Sequence, residues 1–334
     1  MPFNKSSQYK FWFFDKEEKL LEIRKAINSS ATDRILSYKS ASPPKEGKKK
    51  KKDRVKQDDL LSVDDEYLIL IKNIQKASLL CMRFNFPLHV EASAIMFFKR
   101  FFLGHSIMEY DISKIMLTCI YISCKAEDYY QDLSHFLAKV QEVTTAEVDP
   151  KEILKLELVV LQGLQFHMLV YHPYRSVFAF VHDPELTKSL RISSVNEIYE
   201  ASKLIVRQSF LTDASFLFPP GLIALSSLHQ CVVDDSSQQS ILRYVQAKFG
   251  HQEQVTNSLN TIANMLQESK TKMGVDTSVI EKKFVKLRKI VSNQQKETEK
   301  ENNKIAEKKE QERRDKKTEE RSIKEEQDTK NLLG

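Results

Sequence analysis

Between Ala94 and Asp128 polar positions nearly vanish from the chain. Two runs, AIMFFKRFFL and SKIMLTCIYISCK, are apolar on every face and are joined by GHSIMEYDI. A helix without a polar face belongs in the interior of a helical domain. Charges persist there at only a few places, chiefly Lys99, Arg100 and Lys125. A third apolar run, KEILKLELVVLQGLQF, carries one acid, Glu157, among its leucines. Buried charge is costly unless paired, so Lys125 and Glu157 are read as a polar spot on an all-α core.

Helix signals before and after these runs give five helices over about 100 residues. Helix one spans Val63 to Phe84. Helix two starts at Pro87 and runs to about Leu103. Helix three is capped by Asp111 and ends near Asp128. A short helix covers Asp132 to Val140. Helix five opens on Asp149, Pro150 and Glu152, a cap, a first-turn proline and a capping-box acid. The order then repeats: Pro173 to His182, Ser194 to Leu211, an apolar GLIALSSLHQCVV after Pro219 and Pro220, Gln238 to Phe249, and Val255 to Met273. The repetition is one of helix order, with an apolar third helix in each half.

Outside the two sets, Phe11 to Asn28 reads as a single helix. Asp15 is its cap, and Leu20, Leu21, Ile23 and Ile27 form its apolar stripe. The aromatic cluster Phe11–Phe14 before the stripe is expected to dock on the domains. Residues 37–59 contain Pro43, Pro44 and the self-repelling Lys48–Lys52 run, the pattern of a flexible loop. That run also has the composition of a nuclear localisation signal. After Asp276 a last helix carries Val279, Ile280, Phe284, Leu287 and Ile290. From about Ser292 the chain is almost wholly charged and cannot form a core by itself. The layout is therefore 1–36 N-terminal helix, 37–59 loop, 60–168 and 169–274 the two helical sets, 275–291 a C-terminal helix and 292–334 a charged tail.

Composition narrows the function. Seven glycines in 334 residues form no G-x-G-x-x-G or P-loop cradle. The four cysteines lack C-x-x-C spacing and fit reduced core thiols in a cytosolic or nuclear protein. The eight histidines form no H-E-x-x-H motif, and no G-x-S-x-G elbow or kinase signature is present. No secretory signal or membrane span is expected. The formal charge of +6 is modest, and much of the excess lies in the lysine run. No enzyme chemistry, cofactor, metal or direct nucleic-acid contact is expected. A folded binding surface remains.

The segment MFFKRFFLGHSIMEYDISKIMLTCIYISCKAED resembles a cyclin box. Lys99-Arg100-Phe101 is similar to the transcription-type cyclins, and SIMEY followed by IMLTC to the cyclin H family. SSQYKFW, FHMLVYHPYRSVFAF and LTDASFLFPPGLIAL extend the resemblance over most of residues 6 to 230, in the family's order. It implies two tandem five-helix cyclin-box domains with additional N- and C-terminal helices. It further implies binding and activation of a cyclin-dependent kinase in the CDK-activating kinase, with a RING-finger assembly factor and the transcription factor IIH core as partners, in the nucleus. The family's kinase contacts carry over to Lys125 and Glu157, with Ile122, Ala126, Leu161, Phe166 and Met168 as apolar neighbours. Ala126 stands where the family often has a larger residue. Arg100 is expected to pair within the first domain, and Gly163 suggests close packing or a tolerated imperfection. Cyclin C is the nearest alternative branch, and a cyclin-fold nucleic-acid-binding transcription factor the alternative class.

Overall fold

A computed structural model describes residues 2–37, 55–144, 148–190, 195–232, 234–250 and 252–332. The Lys48–Lys52 run and Pro43–Pro44 lie outside these residues. Among the described residues the regular elements are all helical. Helices α1 (Ser7–Trp12) and α2 (Glu17–Ser37) precede a first set of five: α3 (Val63–Arg83), α4 (Leu88–Gly104), α5 (Ile112–Ala126), α6 (Leu133–Thr144) and α7 (Pro150–Gly163). The second half contains α8 (Pro173–Val181), α9 (Pro184–Leu190), α10 (Val195–Ser209), α11 (Ala214–Leu217), α12 (Pro220–Cys231), α13 (Asp235–Phe249) and α14 (Gln252–Met273). Helix α15 (Ser278–Leu332) closes the chain.

Local chemistry sets most boundaries. Ser62 and Asp65 form a reciprocal capping box on α3. Asp111 accepts from the Ser113 and Lys114 amides, and Asp149 from Lys151 just before Pro150. Helix α4 is buried at every position from Val90 to Leu103 and packs on α5, α3, α2 and α7. Helix α12 has the same central place among α8, α10 and α14. Cys81, Cys119 and Cys124 are buried free thiols, and burial pushes each upward, Cys124 to about 12.

The N-terminal region departs from the expected single helix. Helix α1 stops at Trp12, Phe13 is extended, and the Phe14 amide donates to the Phe216 carbonyl at 2.8 Å. Helix α2 begins at Glu17 and passes Asn28 to Ser37, burying Leu20, Ala31 and Ile35 while Leu21 is exposed. The aromatic cluster does dock: the Trp12 indole N–H donates to His167 Nδ1 at 3.3 Å, and Phe11 stacks on the His167 ring. Helices α9 and α11 carry no period of their own and were not foreseen. On α10, Leu204 faces solvent and Val206 is buried. Helix α15 continues from its core-facing Phe284, Leu287 and Val291 through the charged segment without a break at 291.

Arg100 is fully buried and finds no carboxylate among the described residues. Its Nη1 donates to the His167 carbonyl at 2.9 Å, and its guanidinium lies 5.4 Å from the centre of the Trp12 ring. Nε and Nη2 have no hydrogen-bond partner among the described residues. Burial pushes its pKa down to about 9.

The acid in this part of the core is Asp213. Arg24 of α2 grips both its oxygens at 2.8 Å, and the Tyr67 hydroxyl of α3 donates at 3.2 Å. Lys99 of α4 wraps into the adjoining turn, its ammonium donating to the Phe210 and Thr212 carbonyls. Burial pushes Lys99 down to about 8. Burial also pushes the Asp213 carboxyl upward, but Arg24, Lys99 and Tyr67 outweigh it and hold the group below the carboxylate range. One buried network thus fastens the N-terminal helix and both helical sets together.

Gly163 resolves in favour of close packing. A Cβ there would meet Phe101 Cδ2 at 2.7 Å and His105 Cε1 at 3.0 Å. Helix propensity favours alanine by about 1 kcal/mol, but overpacking a core costs about 1–3 kcal/mol. Gly163→Ala is therefore expected to lower stability by about 1 kcal/mol in urea denaturation. A depressed carboxyl stabilises fully above its unfolded value, about pH 4, and loses that contribution as pH falls through its folded value. Asp213→Asn should cost about 3–5 kcal/mol at pH 7 by leaving Arg24 unpaired. The gap from the parent chain should narrow as pH falls below about 4, read by urea denaturation at each pH.

Candidate functional site

Helices α5 and α7 pack side by side. Lys125 lies in the last turn of α5, where the helix dipole favours a cation. Its ammonium meets Glu157 Oε1 of α7 at 2.5 Å and sits 4.4 Å from the centre of the Tyr121 ring. The pair is reachable from outside, with side-chain exposures of 47% and 20%. It borders an open cleft of about 1600 Å³.

Of the residues expected at the site, Ile122, Lys125, Ala126, Glu157, Leu161 and Met168 line this cleft. Phe166 does not; it stands outside the cleft, 60% exposed. Gln165 and Phe166 both adopt left-handed backbone, φ 52° and 57°, rare for side chains of this kind. The Phe166 amide donates to the Leu161 carbonyl, closing the end of α7 and turning the ring outward.

A second polar cluster lies beside the pair. Glu127, the C-cap of α5, accepts from the buried Ser93 hydroxyl. His172 Nε2 lies 3.1 Å from that hydroxyl and 3.4 Å from the carboxylate. Burial pushes the Glu127 carboxyl upward, yet the hydrogen bonds from His172 and Ser93 prevail and its pKa is lowered. His172 caps the start of α8, so this cluster joins the end of the first set to the start of the second. The cleft continues across the joint along Tyr171, Tyr174, Phe178, Tyr199 and Pro219, with Phe3 at its N-terminal edge. Among the described residues no cluster of His, Cys, Asp or Glu could hold a metal ion. The arrangement is an open cleft bordered by one preformed ion pair.

Residues 49–169 match the family described as Cyclin, N-terminal domain, and residues 172–293 the Cyclin C-terminal domain. The putative cyclin-H of Dictyostelium discoideum is 31% identical over 236 residues, covering 69% of this chain and 75% of that protein. The chain belongs to the cyclin family. Its fold is also that of a chain in the CAK complex from Chaetomium thermophilum bound to ATP-gamma-S. That likeness has a TM-score of 0.71 at 23% identity, covering 89% of this cyclin and 94% of that chain. A chain of the yeast TFIIK (Kin28/Ccl1/Tfb3) complex follows, with a TM-score of 0.61 at 23% identity, covering 79% of this cyclin and all of that chain.

The second half of the cleft leaves little local pattern in the sequence of this cyclin. Glu127, Ser93 and His172 stand on three different helices or caps, and only the placement of the α8 N-cap beside α4 and the end of α5 brings them together. His172 directly before Pro173 is the one local signal, an N-cap position ahead of a first-turn proline.

Exposed ion pairs contribute little to stability. Replacing both members, Lys125→Ala with Glu157→Ala, is expected to change folding stability by less than about 1 kcal/mol. Thermal melting of the isolated chain checks this.

Proposed function

We propose that the chain is the regulatory cyclin subunit of a cyclin-dependent kinase in a CDK-activating, transcription-associated complex. The observation that carries the reading is the Lys125–Glu157 pair, exposed at the mouth of a preformed cleft in a member of the cyclin family. Lysine has three N–H donors, of which Glu157 uses one. The others are available to backbone carbonyls of a partner helix, and the Glu157 carboxylate to a partner's N–H groups. Ile122, Ala126, Leu161 and Met168 supply the apolar ground that excludes water and strengthens these bonds.

An active kinase needs its αC helix placed so that a glutamate pairs with the lysine of strand β3. A rigid surface that binds αC only in that placement shifts the kinase toward its active population. The cyclin contributes no catalytic group in this scheme. The likeness to chains of the CAK and TFIIK complexes supports the assignment of complex type, and the three-component make-up of the yeast assembly supports a place for an assembly factor. We place a RING-finger assembly factor and the transcription factor IIH core among the partners, and the complex in the nucleus. No helix among the described residues is long and apolar enough to cross a membrane.

Affinity purification of the tagged full chain, followed by mass spectrometry, is expected to recover a cyclin-dependent kinase and the assembly factor. The Lys125→Ala, Glu157→Ala chain should then bind the purified kinase more weakly by about 2–4 kcal/mol and activate it less. Unchanged affinity and unchanged kinase activity would overturn the reading.

A further inference from the structure

Helix α15 turns a row of lysines to solvent. Between Glu281 and Glu297 it has no acid, while Lys282, Lys283, Lys286, Arg288, Lys289 and Lys296 are all cationic. At about 3.6 residues per turn, Lys282, Lys286, Lys289, Lys296 and Lys300 fall within about 80° of arc over a length of about 27 Å. All five are exposed, and so is Asn293, which fills the one gap. The opposite face is occupied. Phe284, Leu287 and Val291 are buried, the Arg288 guanidinium donates to the Met108 carbonyl at 2.8 Å, and the Gln295 side-chain amide donates to the Glu109 carbonyl at 3.1 Å. These contacts pin α15 to the turn between α4 and α5 and hold the row outward. Among the described residues only Lys286 of the row has an ion-pair partner, Asp59 at 3.0 Å, and its side chain stays 67% exposed.

Folding does not account for the row. Like charges three or four residues apart destabilise a helix. Lys282 with Lys286, Lys286 with Lys289, and Lys296 with Lys300 are such pairs. Further along, the sequence alternates sign at the same spacing, with Glu310 before Arg314, Glu312 before Lys316 and Glu320 before Lys324. That is the pattern of a helix supported by its own charges. The row keeps one sign where the tail balances two, so it complements an extended polyanion. A protein partner is held chiefly by aromatic and arginine anchors, and the row has neither. Single-stranded nucleic acid needs aromatic side chains on which its bases stack, and none stands in the row. The phosphate backbone of a duplex requires charge alone.

We propose that the Lys282–Lys300 face of α15 binds the phosphate backbone of double-stranded DNA without reading its sequence. Phosphate contacts from ammonium groups position a protein on a duplex but carry no base information. The row lies apart from the cleft. Helix α15 is held at the turn before α5, whereas Lys125 stands in the last turn of α5, about 20 Å away along the helix. DNA on the row therefore leaves the cleft open, and its binding is independent of the kinase reading. A net charge of +6 gave no sign of this, because the sum does not show that the cations of α15 share one face.

The test is fluorescence anisotropy of a labelled DNA duplex titrated with the full chain at salt concentrations from about 50 to 200 mM. The expected slope of log affinity against log salt is about −4 or steeper, with equal affinity for duplexes of unrelated sequence. Lys282→Gln with Lys289→Gln and Lys296→Gln should weaken binding at least about tenfold and flatten the slope by about three, with thermal melting unchanged. A second variant, with each of Lys48–Lys52 changed to Gln, separates the row from the lysine run. Loss of binding in that variant, with full affinity in the row variant, would overturn the proposal, as would a parent chain that binds no duplex. Tighter binding of a single-stranded RNA or a polyglutamate peptide than of the duplex would overturn the assignment of DNA. Should the row variant melt early, a photo-crosslinking residue at position 289 decides: it must join the chain to the duplex, and failure to do so removes the site.

Discussion

A single carboxylate deep in the protein determines how its parts are held together. Asp213 sits in a turn of the second helical set, yet the groups that neutralise it come from elsewhere: Arg24 from the N-terminal helix, Tyr67 from the first helix of the first set, and Lys99 nearby from the second. An isolated buried carboxylate would cost several kcal/mol. The two sets and the N-terminal helix must therefore keep their mutual placement for this charge to be tolerated. The same placement brings His172, at the start of α8, to Glu127 at the end of α5 and to Ser93, and it makes the cleft one continuous surface across the joint.

Much of this was legible in the sequence because the signals were local. Asp111, Asp149 and Pro150 announced their helices, and the unbroken apolar run of α4 announced a central position. Lys125 and Glu157 stood out as charges on apolar helices, and they do meet at the surface. What could not be read was whatever depends on partners distant in the chain. The break after Trp12 follows from Phe14 bonding to Phe216, some 200 residues away. Arg100 looked like half of an ion pair but is held by a backbone carbonyl and an aromatic ring. Phe166 was grouped with the cleft residues by resemblance; its left-handed backbone, invisible in a helical pattern, turns it away from them.

The proposed interface combines two kinds of surface with different physical roles. Charges at Lys125 and Glu157 set geometry and discriminate between partners, since a misplaced ion pair is penalised. Apolar side chains supply the favourable burial but tolerate approximate fit. Having both on one rigid helix pair means that little ordering cost is left for the moment of binding. The surface is prepared before its partner arrives.

The three interior cysteines bear on how this protein meets oxidants. A thiol reacts as its thiolate, and for Cys81, Cys119 and Cys124 burial both suppresses that form and shields the sulfur. Peroxide and alkylating reagents are thus excluded for as long as the helices stay closed. Chemical labelling of these sulfurs amounts to a clock on transient opening of the first helical set, one that needs no introduced probe.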